Sequence, residues 1–139
     1  VQKRGYALFR NYGCVSCHQG SNIGGNMFQI FGVFGSGDDR AQVSPEDKPA
    51  RSPHASLADL ANDRNVYRVP SLRNVAVTPP YFHDGRTYSL REAVSVMARG
   101  QLGRTLDEQE LTAITAFLDS LTGEYDGKPL AASPVEDRR

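Results

Sequence analysis

Apolar residues recur at helical spacing in three stretches of the chain. Tyr6, Ala7, Leu8 and Phe9 lie among polar neighbours between Lys3 and Tyr12, which predicts a short helix ended by Gly13. Leu90, Ala93, Val94 and Met97 fall at i, i+3, i+4 and i+7, one stripe of a helix opened by a Ser89–Glu92 capping box and ended by Gly100. Leu111, Ile114, Phe117, Leu118 and Leu121 line a third helix, expected to start at Thr105 with Glu108 as capping partner and to stop at Gly123. Gln19–Asn26 is a glycine-rich loop that must turn sharply, and Met27–Phe34 is an apolar run short enough for a strand or a buried connector. Residues 35–55 predict a polar surface loop and Ser56–Ala61 a short capped helix. Pro70 suits the first turn of a short helix running to Ala76, and Thr78–Arg86 reads as a rigid irregular segment closing in an Asp84–Gly85 turn. The pattern predicts an all-α domain over residues 1–123 with long loops, followed by a polar, extended tail over residues 124–139.

The chain has 139 residues, 39 % of them hydrophobic, enough for one core without disulfide staples. Sixteen basic and sixteen acidic residues give a net charge of zero, which speaks against a nucleic-acid partner or a polybasic membrane surface. No apolar stretch is long enough to span a bilayer. The chain opens at Val1 without a charged-then-apolar leader, as a mature secreted protein or a piece of a longer chain would.

The chemistry concentrates in Cys14-Val15-Ser16-Cys17-His18, which holds both cysteines of the chain. A disulfide across a two-residue spacer would staple almost nothing. A thioredoxin-like dithiol needs a preceding strand and thiols at a helix N-terminus, whereas the residues before Cys14 read as helix. Zinc would need four ligands, and only His54 and His83 remain to complete a set. The spacing suits covalent haem c instead: two thiols three positions apart reach the two vinyl groups, and the next residue offers its imidazole to the iron. The domain is then a set of helices and long loops around one haem.

The second axial position has several candidates: Met97, Met27, His54, His83, water or an external ligand. Met27 follows His18 by only nine residues, too close to wrap round easily, and reads as core. His54 lies in the polar loop and reads as exposed. A methionine on an apolar stripe is by default packing. Met97, however, is one of only two methionines, and its stripe must face the core, which in a small haem protein is the haem.

From Gly5 to Gly123 the chain resembles the C-terminal, electron-transfer haem domain of the bacterial di-haem cytochrome c peroxidases. The resemblance is carried by Gly5–Phe9, Cys14–His18, Asn26–Phe28, Gly32, Arg68–Ala76, Pro80–Gly85, Leu90, Glu92–Val94, Met97, Gln101–Gly103 and Phe117–Gly123. It implies that Met97 ligates a high-potential haem; relatives that modify protein cofactors carry tyrosine there. It implies a calcium ion near the junction of two haem domains, with main-chain carbonyls of Thr78 and Pro80 contributing, against a plain reading of that segment as a stiff turn. It also places Arg73 and His83 near the haem edge and its propionates, where the plain readings are a solvated cation and a turn histidine. The sequence departs from the family in having no second Cys-x-x-Cys-His and no tryptophan, and residues 36–65 match the family's linking segment poorly.

Three functions follow from the resemblance. The first is an electron-transfer haem domain that takes electrons from a small cytochrome or copper protein and passes them to a peroxidatic haem on another segment. The second is a free-standing monohaem carrier, or a module of a sensor or larger redox assembly. The third, peroxidase chemistry at this haem, ranks last because a Met97 ligand closes the iron. Haem c attachment implies an extracytoplasmic site, and the expected location is the periplasm.

Overall fold

A computed structural model of the chain describes residues 1–35 and 66–132. His54, the expected helix at Ser56–Ala61, nearly all of the expected 35–55 loop and the last residues of the tail lie outside the described residues. Three α-helices carry the structure: α1 (Gln2–Asn11), α2 (Leu90–Leu102) and α3 (Glu108–Asp119). Short 3₁₀ turns form at Cys14–Ser16 and Val75–Val77. The all-α expectation needs one amendment, because two small antiparallel sheets are present. β1 (Phe28–Ile30) pairs with β2 (Val66–Arg68), Gln29 opposite Tyr67, and β3 (Glu124–Tyr125) pairs with β4 (Lys128–Pro129).

The core is one cluster in which Phe9 of α1, Ala98 of α2 and Leu111, Ile114 and Leu118 of α3 meet Leu72 and Leu106. Phe117 and Leu121, on the stripe expected of α3, pack against its edge, as do Leu90 and Val94 of α2. α1 and α3 cross at Gly5, where a Cβ would lie 1.9 Å from the Ala113 carbonyl oxygen. Only a residue without a side chain allows that approach.

The helix boundaries differ from the expected ones for physical reasons. α1 ends as expected, with Gly13 left-handed (φ 93°) just beyond its last turn. At the head of α2 the Ser89 hydroxyl accepts the Glu92 N–H at 3.3 Å. α2 then runs through Gly100 to Leu102 and closes at Gly103 (φ 60°), where the Arg104 N–H reaches back to the Ala98 carbonyl. Gly100 is buried inside the helix, and its carbonyl accepts the Phe34 N–H at 2.8 Å. α3 is capped by Asp107 rather than Thr105, in a reciprocal box with Glu110. Leu106 and Leu111, on either side of that box, join the same core cluster as a hydrophobic staple. α3 stops at Asp119, before the expected Gly123.

Residues 70–74 are not a helix. Their hydrogen-bonding groups are taken by the glycine-rich loop: the Leu72 N–H donates to Ile23, the Ser71 hydroxyl to Asn22, and the Pro70 carbonyl faces His18. Only Val75–Val77 makes a helical turn, after a left-handed Asn74 (φ 62°). The first part of the tail is likewise a hairpin, turned at Asp126–Gly127 with both residues at positive φ. Among the described residues no helix is long and apolar enough to cross a membrane.

Candidate functional site

Cys14, Cys17 and His18 stand where α1 gives way to the 3₁₀ turn. That turn ties the Cys17 and His18 N–H groups to the Cys14 carbonyl. Both thiols are free and half-buried, and burial pushes the Cys14 thiol up to about 11. A thiol held protonated in this way is the opposite of an activated redox dithiol, whose pKa is lowered. Among the described residues no three His, Cys, Asp or Glu side chains gather as a structural metal site needs.

His18 is the most closely held of the three. Its ring packs against Phe9 at a centroid distance of 6.2 Å, and its Nδ1 faces the Pro70 carbonyl at 3.2 Å. Burial lowers its pKa, with hydrogen bonds to the Ile23 and Pro70 backbones opposing, so the imidazole is neutral at neutral pH. A neutral ring whose Nδ1–H is given to a carbonyl keeps the Nε2 lone pair for a metal, the arrangement found behind metal-bound histidines. Gly24 makes room for it. Gly24 has φ +127°, and a Cβ there would sit 2.1 Å from the Pro70 oxygen and 3.2 Å from His18 Nδ1. The residues present therefore fit haem c: two unpaired thiols at attachment spacing and an imidazole already turned by its own hydrogen bond.

A strap, residues 66–74, fixes the loop after the motif. The Val69 N–H donates to Met27 (2.9 Å) and its carbonyl accepts from Gly25 (2.8 Å). Arg68 donates through Nε and Nη2 to the Gly25 carbonyl at 2.9 and 2.7 Å. Arg73 does the same to the Ser21 carbonyl at 3.0 and 2.8 Å. Between strap and loop lies a shallow cleft of about 400 Å³ bordered by Asn22, Asn26, Arg68 and Ser71. Asn74 closes the strap's far end, its N–H to the Leu121 carbonyl (3.1 Å) and its Oδ1 to the Gly123 N–H (2.8 Å).

The remaining expected residues are distributed around this centre. Met97 is half-buried on α2, and Met27 is half-buried at the start of β1, outside the core cluster. Arg73 holds a loop carbonyl, so it has a structural partner besides any role at a cofactor edge. His83 is exposed and stacks on Tyr67 at 4.4 Å, with the Tyr67 hydroxyl 3.3 Å from its Nε2. Thr78 precedes a cis Pro79–Pro80 bond of which Pro80 is a member, and Tyr81 just beyond donates its hydroxyl to the Val75 carbonyl at 2.9 Å. Sequence reasoning missed Gly24, Pro70 and Arg68 as supports of the histidine. The Gly24–Gly25 pair was the available signal, whereas a backbone carbonyl such as that of Pro70 leaves none.

A family model described as cytochrome c matches residues 2–122. The chain is 42 % identical to a cytochrome c551 peroxidase of Nitrosomonas europaea, over 94 % of this chain and 36 % of the relative. It is 39 % identical to that of Pseudomonas aeruginosa, over 88 % of this chain and 34 % of the relative. A methylamine utilization protein MauG of Methylorubrum extorquens is 28 % identical over 88 % of this chain. Among solved structures, a MauG-like protein associated with microbial copper homeostasis superposes with a TM-score of 0.59 at 25 % identity, covering 88 % of this chain and 47 % of that one. The chain thus spans about a third of the length of the curated relatives it matches.

Proposed function

The chain belongs to the cytochrome c family, and from that premise we propose that it is a haem c electron-transfer domain of the kind found in di-haem cytochrome c peroxidases. On this reading one haem is attached through Cys14 and Cys17 and its iron is held by His18 and Met97. The observation that carries the reading is the His18 imidazole, oriented by the contact of its Nδ1 with the Pro70 carbonyl and following directly on the second of two free thiols.

When bound, haem c supplies an iron that cycles between Fe(III) and Fe(II). The residues of the chain set its terms. The Nδ1 hydrogen bond makes His18 a stronger donor through Nε2 and fixes the ring plane. A thioether from Met97 is a soft ligand that favours Fe(II) and raises the potential relative to two imidazoles. With Met97 as a ligand the iron would offer peroxide no open site, so the domain would relay electrons and leave peroxide cleavage to a haem elsewhere. The donor is a small cytochrome or copper protein, the acceptor a second haem domain, and the setting the periplasm. A calcium ion at Thr78 and Pro80, and contacts of Arg73 and His83 with the haem edge, complete the proposal.

Acid–acetone extraction should leave haem on the polypeptide. The spectra should show six-coordinate, low-spin iron with the thioether-to-ferric-iron charge-transfer band. Met97→Ala should abolish that band, lower the potential and admit cyanide. A high-spin wild-type chain, or a Met97→Ala variant with unchanged spectrum, overturns the ligation.

A further inference from the structure

Charge is distributed unevenly along this chain. Residues 1–35 and 66–83 contain Lys3, Arg4, Arg10, Arg68 and Arg73 and no aspartate or glutamate. All five cations are exposed. Residues 36–65, between these stretches, carry six acidic and four basic residues, and the first acidic residue after position 83, Asp84, is paired with Arg86 at 3.2 Å. Arg68 and Arg73 stand on either side of Pro70, whose carbonyl turns His18. Each uses Nε and Nη2 to grip a loop carbonyl, which leaves the Nη1 donors out of those bonds. Among the described residues neither arginine meets a carboxylate. The cleft beside Arg68 is bordered by Asn22, Asn26 and Ser71 and, among the described residues, by no acidic one.

Two guanidinium groups immobilised by the backbone lose little further freedom when a carboxylate arrives. Their weak hydration and fork geometry also suit that partner.

We infer that the rim formed by the 20–26 loop and by Arg68 and Arg73 is a docking surface for the carboxylate-bearing face of a small redox protein. The inference rests on the electron-relay reading and adds to it the sign of the partner's charge and the edge by which electrons enter. A transient electron-transfer encounter needs only a small patch, and fixed cations next to the axial histidine's support provide one.

The test uses the haem-loaded chain with two kinds of probe. Hexacyanochromate(III), an inert paramagnetic anion, should broaden the amide signals of Asn22, Gly24, Gly25, Asn26 and Ser71 selectively. That broadening should disappear in Arg68→Gln/Arg73→Gln and persist in Lys128→Gln. Broadening spread over all exposed cations overturns the inference. Oxidation of the ferrous chain is then followed with hexacyanoferrate(III), an anion, and tris(phenanthroline)cobalt(III), a cation; in each case one electron leaves Fe(II) and reduces the reagent metal by one unit. The rate with the anion should fall as salt rises and the rate with the cation should climb. Each arginine removed should cost the anion about threefold at low salt. Arg68→Lys/Arg73→Lys keeps the charge while weakening the grip on the loop, so it should retain the salt dependence. Loss in the lysine variant equal to that in the glutamine variant makes the arginines structural and overturns the proposal. Reversed salt slopes overturn the docking surface alone, whereas a haem that exchanges electrons with neither reagent overturns the relay reading beneath it.

Discussion

Replacing Gly5 by alanine sets two principles against each other with opposite signs. Inside a helix the change Gly→Ala should stabilise by about 1 kcal/mol through backbone entropy. At the α1–α3 crossing the new methyl would lie 1.9 Å from the Ala113 carbonyl oxygen, 2.6 Å from its carbon and 2.8 Å from Phe117 Cβ. The obstacle is backbone on one side and the root of a side chain on the other, so neither can swing away. Ordinary contact at about 3.5–4 Å requires the helices to part by roughly 1.5–2 Å. A gap of even half that size forfeits a quarter to a half of each dispersion contact across the interface, and Phe9, Leu111, Ile114 and Leu118 lie in the same cluster. Overpacking of this kind costs about 1–3 kcal/mol and can exceed it where backbone is the obstacle. Packing should therefore win by about 1–2 kcal/mol net, near 3–6 °C in Tm for a chain of this size. Thermal unfolding of the haem-loaded Gly5→Ala chain, followed at 222 nm and in the Soret band, measures it against Lys3→Ala, an exposed position of the same helix expected to stay within about 0.5 kcal/mol. A Gly5→Ala chain as stable as wild type, or more so, would refute the close crossing and leave helix propensity in charge.

Gly24→Ala should be at least as severe, about 2 kcal/mol or more, because it combines a positive φ with a Cβ 2.1 Å from the Pro70 oxygen. It should also shift the haem potential by disturbing the His18 hydrogen bond, measured by redox titration beside thermal unfolding. Burial, with Asp119 adding, raises the pKa of Tyr81, so the folded state keeps the phenol protonated longer than the unfolded chain does. Stability from this group is complete below about pH 10 and is lost as pH climbs through the folded value. Tyr81→Phe should flatten that alkaline limb in pH-dependent denaturation, and an unchanged limb refutes the assignment. Calcium should bind the isolated chain weakly, since two carbonyls fall far short of the six to eight oxygens the ion prefers. Tight binding by calorimetry on the chain alone contradicts this.

The elements that could be read from sequence are those settled by neighbours in the chain. α1, the attachment motif and the stripes of α2 and α3 depend on residues within a few positions of one another, and they stand close to where periodicity puts them. Errors arose where the deciding partner is remote. Gly100 and Gly103 are equally good helix stops on paper; the stop falls at Gly103, which takes the left-handed conformation while the Arg104 N–H closes on the Ala98 carbonyl, and the Gly100 carbonyl goes to the remote Phe34 N–H. Pro70 invites a helix, but its segment is bonded to residues 49 and 52 positions earlier. Two local signals were nonetheless available: Leu106 before and Leu111 after Asp107 mark the staple of α3, and Asp126–Gly127 marks a two-residue hairpin. Of the site, the thiols and His18 were legible from spacing. The supports of His18 were not, because they act through backbone atoms.

The contacts around His18 form a closed circuit. The imidazole meets Pro70 of the strap, the strap ends on Asn74, Asn74 holds Leu121 and Gly123 beyond α3, Phe117 of α3 packs on Phe9 at 5.3 Å, and Phe9 returns to the imidazole. In a linear chain of contacts a defect stays local and distant substitutions add. In a circuit every junction shares the same slack. Opening it at Asn74 relaxes the crossing at Gly5, so a second break costs less than the first. Substitutions at Gly5, Gly24 and Asn74 therefore belong to one cooperative unit whose combined cost falls short of the sum.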